Sequence, residues 1–313
     1  MDVRQLEYVV AVAEELNFTR AAARCHVAQS ALSYQVARLE REHGVTLFER
    51  TSRSVRLAPA GELLLPRARA VLAEIEAARA ELAELAGVVT GRLRIGMIGS
   101  TGLAAPVVER ALAAFHHRRP GVEIAIRDTG SRHMAGLVRD GEMDVAFVGL
   151  HPGQLPADLA HRVLADEPLV LAVPPGYPGT GLADLAARSA FVEMRAESGL
   201  RHQVDAVFAR AGLTRRIAFE LATSEAVVRF VAHGFGPAVV PRSAVDARPG
   251  DVGTLDLADP DARHPIVLVH RSPAPAAPSA RAFLALLAEF EARAEGRAGG
   301  RAGVTAGVTA PRS

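Results

Sequence analysis

The stretch FTRAAARCHVAQSALSYQVARL, residues 18–39, carries three arginines and one histidine but no acidic side chain. Within it begins a segment, residues 29–43, in which Leu32, Val36 and Leu39 repeat at spacings of four and three. That spacing places the three side chains on one face of an α-helix, where they form an apolar stripe. We therefore predict a helix over residues 29–43 that buries this stripe and ends at the glycine that follows.

The opposite face of this predicted helix is polar and basic. It presents hydroxyl, phenol and guanidinium groups, which can donate to base edges and phosphates in the major groove of DNA. The absence of acids fits such a contact, since DNA phosphates repel carboxylates. An ordinary solvated helix face is the alternative, because a helix-turn-helix pattern alone is a weak signal. The residues on this face are Ser30, Ser33, Tyr34, Arg38 and Arg41.

Two further helices are predicted before this one. The second of them is short, from about Arg20 to His26, and either Asn17 or Thr19 can cap its N-terminus. The first has an apolar face typical of a helix that packs on a core. This face consists of Leu6, Val9, Val10 and Ala13.

The segment LFERTSRSVRLAPAG, residues 47–61, predicts a short β-hairpin. Phe48 and Leu57 flank a polar turn at residues 51–54. Arginines on such a wing suit backbone phosphates, which position a protein without specifying a sequence. The wing arginines are Arg50, Arg53 and Arg56.

A long helix is predicted to begin at Pro59. Its apolar residues recur at spacings of four and three, as in a heptad seam, and glutamates lie on its other faces. A lone helix with this pattern needs a second surface to bury the seam, so we interpret it as a dimerisation helix. Packing on the core of its own chain is the alternative. The seam consists of Leu64, Ala68, Val71, Ile75, Ala78, Leu82 and Leu85.

Composition narrows the class of protein. The 313 residues have a formal net charge of +1, so binding to nucleic acid must depend on a local basic patch. The absence of lysine excludes Schiff-base chemistry and the lysine of a P-loop. The single cysteine, Cys25, excludes an intrachain disulfide and fits a reducing compartment. The N-terminus is unlike a signal peptide and no apolar run is long enough to span a membrane, so we expect a cytoplasmic protein without a membrane contact.

The rest of the chain alternates predicted strands with predicted helices in two series. The first series contains the strands LRIGMI, VEIAI and DVAFVGL, and the second contains PLVLAV, AFVEM, IAFEL and PAVVP. Such alternation predicts parallel sheets covered by helices. The strand PIVLVH and the helix SARAFLALLAEFEARA close the fold. The glycine- and alanine-rich tail at residues 294–313 is predicted to be disordered.

Hydroxyl groups follow several of these strands. In open parallel sheets, ligands bind beyond the C-terminal ends of the strands, where helix N-termini offer free amides. Hydroxyls, helix amides and one arginine together suit a small carboxylate or a similar anion. The hydroxyls can alternatively serve as helix caps, and both roles can hold together. The residues concerned are Ser100, Thr101, Ser198, Arg201, Thr223 and Ser224.

Two other classes of protein compete with this interpretation: a two-lobed α/β enzyme, and a small-molecule binding module without DNA function. The glycines of GMIGSTG miss the spacing of a dinucleotide-binding loop, and no serine lies in a G-x-S-x-G motif. The histidines lack metal-ligand spacing, so we expect no catalytic residue, metal or cofactor. A small-molecule binding module that does not contact DNA would have no use for the winged N-terminus. Cys25 is interpreted as a small buried hydrophobe, with a redox sensor as the alternative.

Residues 1–87 resemble the winged helix-turn-helix and linker helix of the LysR-type transcriptional regulators. The matching pieces are RQLEYVVAVAEELNFTRAAA, QSALSYQVARLE, GVTLFERTSRSVRL and PAGELLL, in this order. A less specific resemblance continues to about residue 293. Ala28 and Ala58 depart from the family, which usually has a hydroxyl cap at these two positions, and a lost cap costs about 1 kcal/mol.

The resemblance implies an α-helical winged helix-turn-helix, a long linker helix and a two-lobed α/β effector domain similar to periplasmic binding proteins. The corresponding boundaries are residues 1–58 for the DNA-binding domain, 59–90 for the linker, about 91–165 and 266–293 for lobe I, about 166–265 for lobe II, and 91–293 for the whole effector domain.

The resemblance further implies a transcriptional regulator rather than an enzyme. Such proteins are homodimers, commonly dimers of dimers, that bind two-fold related promoter DNA and respond to a small-molecule effector. RNA polymerase is an additional candidate partner. The expected DNA contacts are Thr19, Gln29, Ser30, Ser33, Tyr34, Arg38, Arg50, Arg53 and Arg56. The expected effector contacts are Ser100, Thr101, Thr129, Gly149, Ser198, Arg201, Thr223 and Ser224. The expected dimer contacts are Leu64, Val71, Ile75 and Leu82.

Overall fold

Three helices and a hairpin begin the chain. The structure, a computed structural model, describes residues 1–50, 54–85, 91–99, 104–177, 181–272, 275 and 277–302. The first elements are α1 (Val3–Glu15), α2 (Phe18–Arg24), α3 (Gln29–His43), β1 (Phe48–Arg50) and β2 (Val55–Leu57). The bounds of α3 are those that the sequence predicts, and its stripe of Leu32, Val36 and Leu39 is buried in the core of this module.

The first two helices differ slightly from expectation. Asn17 caps α2 by accepting hydrogen bonds from two backbone amides, so α2 begins at Phe18, two residues before the predicted start. On α1, Leu6 and Val9 are buried as predicted, whereas Val10 and Ala13 are only half-buried. The apolar face of α1 is therefore rotated slightly from the predicted one.

A long helix, α4 (Pro59–Leu85), follows the hairpin. A β-carbon at Gly61 would clash with the carbonyl oxygen of Leu47, so the first turn of α4 packs directly on the backbone before the wing. The predicted heptad seam is divided between two environments. Leu64 packs on the core of the N-terminal module and Ala68 is 1% exposed, so this end of the seam is buried within its own chain.

Nine strands build the described part of the C-terminal domain. They are β3 (Gly91–Met97), β4 (Val122–Arg127), β5 (Val145–Val148), β6 (Leu159–Val173), β7 (Ala190–Met194), β8 (Arg216–Leu221), β9 (Ala238–Pro241), β10 (Gly253–Asp256) and β11 (Arg263–Arg271). The main sheet has the order β10-β6-β11-β5-β3-β4, with β9 also paired to β6, and β7 pairs with β8 separately.

The prediction of parallel sheets holds for only part of these strands. β3 is parallel to β4 and β5, and β7 is parallel to β8. In contrast, β11 is antiparallel to β5 and β6, and β6 is antiparallel to β9 and β10. The difference arises because β6 and β11 run through both halves of the domain, and alternation of strands and helices does not reveal such long crossing strands.

Helices cover both halves of this domain. They are α5 (Ala105–Arg118), α6 (Ser131–Arg139), α7 (Leu182–Arg188), α8 (Gly199–Arg210), α9 (Ser224–Ala232), α10 (Arg242–Asp246) and α11 (Pro278–Ala302). We call lobe I the half built on β3, β4 and β5 with α5, α6 and α11. Lobe II is the half built on β7 to β10 with α7 to α10. The paired strands β6 and β11 join the two lobes.

The C-terminal helix is longer than predicted. α11 continues to Ala302, whereas the sequence predicts disorder from residue 294. Alanine and arginine are strong helix formers, and they sustain the helix across the glycines of this segment. Residues 303–313 lie outside the described residues. In the part of the chain that is described, no helix has both the length and the apolar character needed to cross a membrane.

Candidate functional site

The outer face of α3 is accessible to a partner. Tyr34 is 59% exposed although it is a large aromatic side chain. Arg38 donates to Glu42 one turn later at 2.8 Å. Both side chains of this pair are solvent-exposed, and such pairs are weak, so Arg38 can exchange its partner for a phosphate or a base. The exposed residues among the predicted DNA contacts of α2 and α3 are Thr19, Gln29, Ser30, Tyr34 and Arg38.

The wing arginines differ in their surroundings. Arg56 is exposed on β2 and remains available for a phosphate. Arg53 lies outside the described residues. Arg50 donates to Ser33 Oγ at 3.0 Å, and its guanidinium lies 4.1 Å from the centroid of the Phe18 ring. Arg50 and Ser33 thus bind each other and hold the wing against α3, while Arg50 stays exposed, and their contact with DNA stays a prediction.

Glu40 is a residue of this surface that sequence reasoning missed. Its Oε1 accepts from the backbone amides of Leu47 and Phe48 at 2.8 and 3.2 Å, and its Oε2 lies 3.4 Å from Arg50. One carboxylate thus fixes the wing relative to α3. Its position four residues after Val36, on the edge of the buried stripe, is the sequence signal that could have revealed this role.

Part of the predicted dimer seam is exposed on α4. Val71 is 45% and Leu82 is 69% exposed, and Ile75 is half-buried between them. These three residues lie within about 40° of one another around the helix axis. Leu63, which was not predicted, is 76% exposed near the start of the helix. Exposed apolar side chains in this number on one helix are typical of a contact surface.

Arg69 of α4 joins the N-terminal module to lobe I. It lies 3.2 Å from Glu14 of α1 and forms a close ion pair with Glu142, which follows α6. A second contact nearby places Arg271 of β11 3.4 Å from Glu74 of α4. The long helix is therefore paired with lobe I through charged side chains of both signs.

A cleft of about 200 Å³ lies between the lobes. The N-termini of α6, α8 and α9 converge on it, and each contributes backbone amides that lack a partner within its own helix. Ile98, Leu200 and Pro241 supply apolar walls. Of the predicted effector contacts, those that line the cleft are Thr129, Ser198 and Ser224.

The other predicted contacts within the described residues, Gly149, Thr223 and Arg201, are not among the residues that line the cleft. Gly149 follows β5 and packs against Gly199, and the structure does not place it on the cleft wall. Thr223 caps α9 by accepting from the amide of Ala226 at 3.2 Å, so it fills the structural role that was its alternative. Ser100 and Thr101 lie outside the described residues.

The hydroxyl of Ser224 has no hydrogen-bond partner in the described part of the structure. Ser224 is 1% exposed and opens α9 at the cleft. A buried hydroxyl without a partner costs about 1–3 kcal/mol. Ser198, at the N-cap of α8, also makes no side-chain capping bond. Neither hydroxyl is therefore committed as a helix cap.

Arg201 does not line the cleft, which corrects its predicted role as an anion contact. Its guanidinium donates to the carbonyl of Met194 at 3.0 Å, to Asp205 at 3.1 Å and to Glu220 at 2.8 Å. These partners lie on β7, α8 and β8, so Arg201 connects elements within lobe II. Its charge is neutralised there by two carboxylates.

Besides Glu197, two charged residues of the cleft were missed in the sequence. Asp128 follows β4 and accepts from the amides of Gly99 and Gly130 at 3.1 and 3.2 Å. Arg195 follows β7, and no carboxylate lies within ion-pair distance of it among the residues that the structure describes. Both directly follow a strand of the α/β series, and this position is the signal that marks them.

A buried histidine supports the base of the cleft. His264 of β11 is 3% exposed, and its Nδ1 lies 2.5 Å from Gln203 Oε1. The amide nitrogen of Gln203 donates to the carbonyl of Gly149 at 3.0 Å, so Nδ1 must donate and Nε2 is an acceptor. Burial lowers the pKa of His264 to about 4, His151 adds to this shift and Asp166 opposes it. The ring is therefore neutral at pH 7.

Cys25 has the surroundings of a packing residue. It is half-buried at the C-cap of α2. Burial raises the pKa of its thiol, although Arg24 opposes this shift and Glu7 adds to it. Thiol reactivity requires the thiolate, so a raised pKa favours the structural role over the redox one. Among the described side chains, no group of three or more His, Cys, Asp or Glu residues is arranged to hold a metal ion.

Comparison with known proteins gives two family matches that cover most of the chain. Residues 3–62 match the bacterial regulatory helix-turn-helix protein, lysR family, and residues 86–292 match the LysR substrate binding domain. The uncharacterized HTH-type transcriptional regulator YnfL of Escherichia coli is 31% identical over 293 residues, which are 91% of this chain and 98% of that protein. The DNA-binding transcriptional dual regulator OxyR of Escherichia coli is 31% identical over 284 residues, or 88% of this chain and 91% of that protein.

Solved structures show the same architecture. A full-length cysteine-to-aspartate variant of OxyR from Pseudomonas aeruginosa superposes with a TM-score of 0.69 at 29% identity, and covers 93% of this chain and 94% of its own. Full-length CbnR complexed with its target DNA superposes with a TM-score of 0.59 at 26% identity, over 94% of this chain and 99% of its own.

Proposed function

Because the chain belongs to the LysR family of transcriptional regulators, a family of DNA-binding proteins rather than enzymes, we propose that a small carboxylate bound between its two lobes controls its action on promoter DNA. The family supplies the DNA-binding module and the effector-binding domain. The nature of the effector and the residues that bind it are the proposed part.

The proposed DNA contacts divide by their chemistry. Tyr34 and Arg38 on α3 are proposed to contact base edges, and Arg56 on the wing to contact phosphates, and the exposure of all three side chains supports this. CbnR, whose fold this chain shares, has been solved with its target DNA bound. Val71 and Leu82 on α4 are proposed to bury their exposed side chains against a second copy of the chain, so that two modules read a two-fold related site.

One observation carries the proposal for the cleft: Ser224, which lines the cavity at the N-terminus of a helix, has a buried hydroxyl without a partner in the described structure. Free helix amides and an unpaired Arg195 surround it on the side of lobe II. Such a set of donors is typical of sites for a carboxylate. The ligand is small, since about 200 Å³ is below the usual range of pockets for drug-sized molecules.

A peroxide response is a different function that some relatives suggest. Several of them are named hydrogen peroxide-inducible genes activators. In this chain, however, the single cysteine is Cys25 in the DNA-binding module, and residues 91–293 contain none. Oxidation of a thiol in the effector domain therefore has no residue to act on, and a bound ligand is the proposed signal.

The test is a thermal-shift screen of small carboxylates on the full-length protein and on Ser224→Val. A ligand that binds the cleft stabilises the parent by about 2.7 kcal/mol at 100 times its Kd. We expect this gain to be largely lost in Ser224→Val and kept in Thr254→Val, which alters an exposed hydroxyl on β10 outside the cleft. Equal stabilisation of parent and Ser224→Val would place the ligand elsewhere and contradict the proposal.

A further inference from the structure

Two backbone amides of lobe I at the cleft are already occupied by a carboxylate of the protein itself. Asp128 accepts from Gly99 at the end of β3 and from Gly130 at the N-terminus of α6. A ligand carboxylate at this position would meet a like charge at short range, which is unfavourable. An anionic group of the ligand must therefore bind on the other side of the cleft.

Asp128 is the one charged side chain that lobe I contributes to the cleft among the residues that the structure describes. It forms no ion pair with an arginine or histidine among those residues. The neutral ring of His264 adds Nε2, a further acceptor. A group that satisfies this wall is cationic or donates several hydrogen bonds.

Lobe II contributes the cation of the cleft. Its wall contains Arg195 and the N-terminus of the twelve-residue helix α8, which donate, together with Ser224 and one carboxylate, Glu197. Asp128 and Arg195 do not pair with each other, so each charge faces the cleft without an opposite charge in contact. The cleft therefore holds an unpaired anion on lobe I and an unpaired cation on lobe II.

On this basis, and resting on the proposed effector role of the cleft, we infer that the effector is a small zwitterion: an α-amino acid with a short aliphatic side chain. Its ammonium group would bind Asp128, and its carboxylate would bind Arg195 and Ser224. Ile98 and Leu200 supply the apolar surface for the side chain.

Three probes of the same carbon skeleton separate the two charges: L-leucine, 4-methylpentanoate, which lacks the ammonium group, and 3-methylbutylamine, which lacks the carboxylate. Binding is measured by calorimetry and thermal shift on the full-length protein, and L-alanine, L-valine and L-methionine define the preferred side-chain length. We expect the amino acid to bind at least about tenfold more tightly than either single-charge analogue, because each loses one charge-assisted contact.

Two substitutions then test which side of the cleft binds which charged group of the ligand. Asp128→Asn should weaken binding of L-leucine about tenfold or more. Binding of 4-methylpentanoate should improve relative to that of L-leucine, since the charge that repels its carboxylate is gone. Arg195→Gln should weaken L-leucine and 4-methylpentanoate alike and leave the amine unaffected. The matched controls are Asp158→Asn on lobe I and Arg216→Gln on lobe II, which remove exposed charges outside the cleft. Neither control should change binding.

The outcomes distinguish this inference from the proposal on which it rests. If 4-methylpentanoate binds as tightly as L-leucine and Asp128→Asn changes neither, the zwitterion is wrong and the carboxylate effector stands. The same holds if no amino acid binds but another carboxylate does so in a manner that depends on Ser224. If no carboxylate of any kind stabilises the protein through the cleft, both the zwitterion and the carboxylate effector are wrong.

Discussion

Replacing Gly199 with alanine is expected to separate the two lobes at the base of the cleft. Gly199 is the first residue of α8 in lobe II, and it packs on Gly149 of lobe I. A β-carbon added at Gly199 would lie 2.8 Å from Ser131 Oγ and 2.9 Å from the carbonyl carbon of Gly149, and closer still to the carbonyl oxygen. Because the obstacle is backbone, it cannot rotate away.

The size of the effect follows from these contacts. Non-bonded carbon atoms prefer separations of roughly 3.5–4.0 Å, so α8 must withdraw from lobe I by about 1 Å. Overpacking of this kind costs about 1–3 kcal/mol. The hydrogen bond from Gln203 to the Gly149 carbonyl, 3.0 Å long, would stretch with this movement. At about 2–4 °C per kcal/mol for a domain of this size, the melting temperature should fall by roughly 2–12 °C.

The assay is thermal unfolding of the full-length protein, with and without a ligand of the cleft. The matched control is Gly136→Ala on α6, where an added β-carbon has no neighbour within 4 Å. This control should be neutral or stabilising by about 0.5–1 kcal/mol, because alanine favours a helix. If Gly199→Ala melts and responds to ligand as Gly136→Ala does, the tight contact between the lobes is not present in solution.

Four further outcomes are expected. Arg56→Ala should weaken binding to every DNA sequence and reduce the slope of log affinity against log salt by about 0.9, as measured by gel shifts at several salt concentrations. Arg50→Ala should instead first lower the melting temperature of the DNA-binding module, as measured by thermal melts. Val71→Glu should convert oligomers to monomers in sedimentation, since like charges would meet in an apolar seam. Because the pKa of His264 is lowered in the folded state, the unfolded state binds more protons between about pH 6.5 and pH 4. The free energy of unfolding should therefore fall as pH decreases through this window, by up to about 1.4 kcal/mol per pH unit. The fall should be smaller in His264→Gln. Arg201→Ala should destabilise lobe II in thermal melts but leave ligand binding in place; loss of binding without loss of stability would restore its role in the cleft.

The sequence predicted the DNA-binding module well because its signals are local. Regular spacing of Leu32, Val36 and Leu39 specifies the helix and its buried face, and both are present in the structure. What the sequence could not show is which arginines are already engaged. Arg50 and Arg56 look equivalent in the chain, yet only Arg50 reaches Phe18 and Ser33, because the hairpin brings residues of distant positions together.

The cleft was harder to predict because its chemistry depends on contacts between separate segments. Serine and threonine at helix starts were identified correctly as a class, but their roles divide: Thr223 is a cap, and Ser224 is not. Arg201 was the expected anion contact, and its neutralisation by Asp205 and Glu220 required the folded arrangement of α8 and β8. The sequence shows that residue 128 is an aspartate, but it does not show that this carboxylate lies at the cleft.

The contacts of α4 bear on how an effector changes DNA binding. Within the described residues, the ion pairs that link the DNA-binding side to the effector domain end on lobe I, through Arg69 with Glu142 and Arg271 with Glu74. Lobe I and α4 should therefore move together, and lobe II is the part whose position a ligand can change. Because Arg195 and the N-termini of α8 and α9 belong to lobe II, we expect a ligand held by Asp128 on lobe I to draw lobe II toward a fixed frame. We expect the change to be passed to the DNA as a new arrangement of the subunits, while each DNA-binding module keeps its fold.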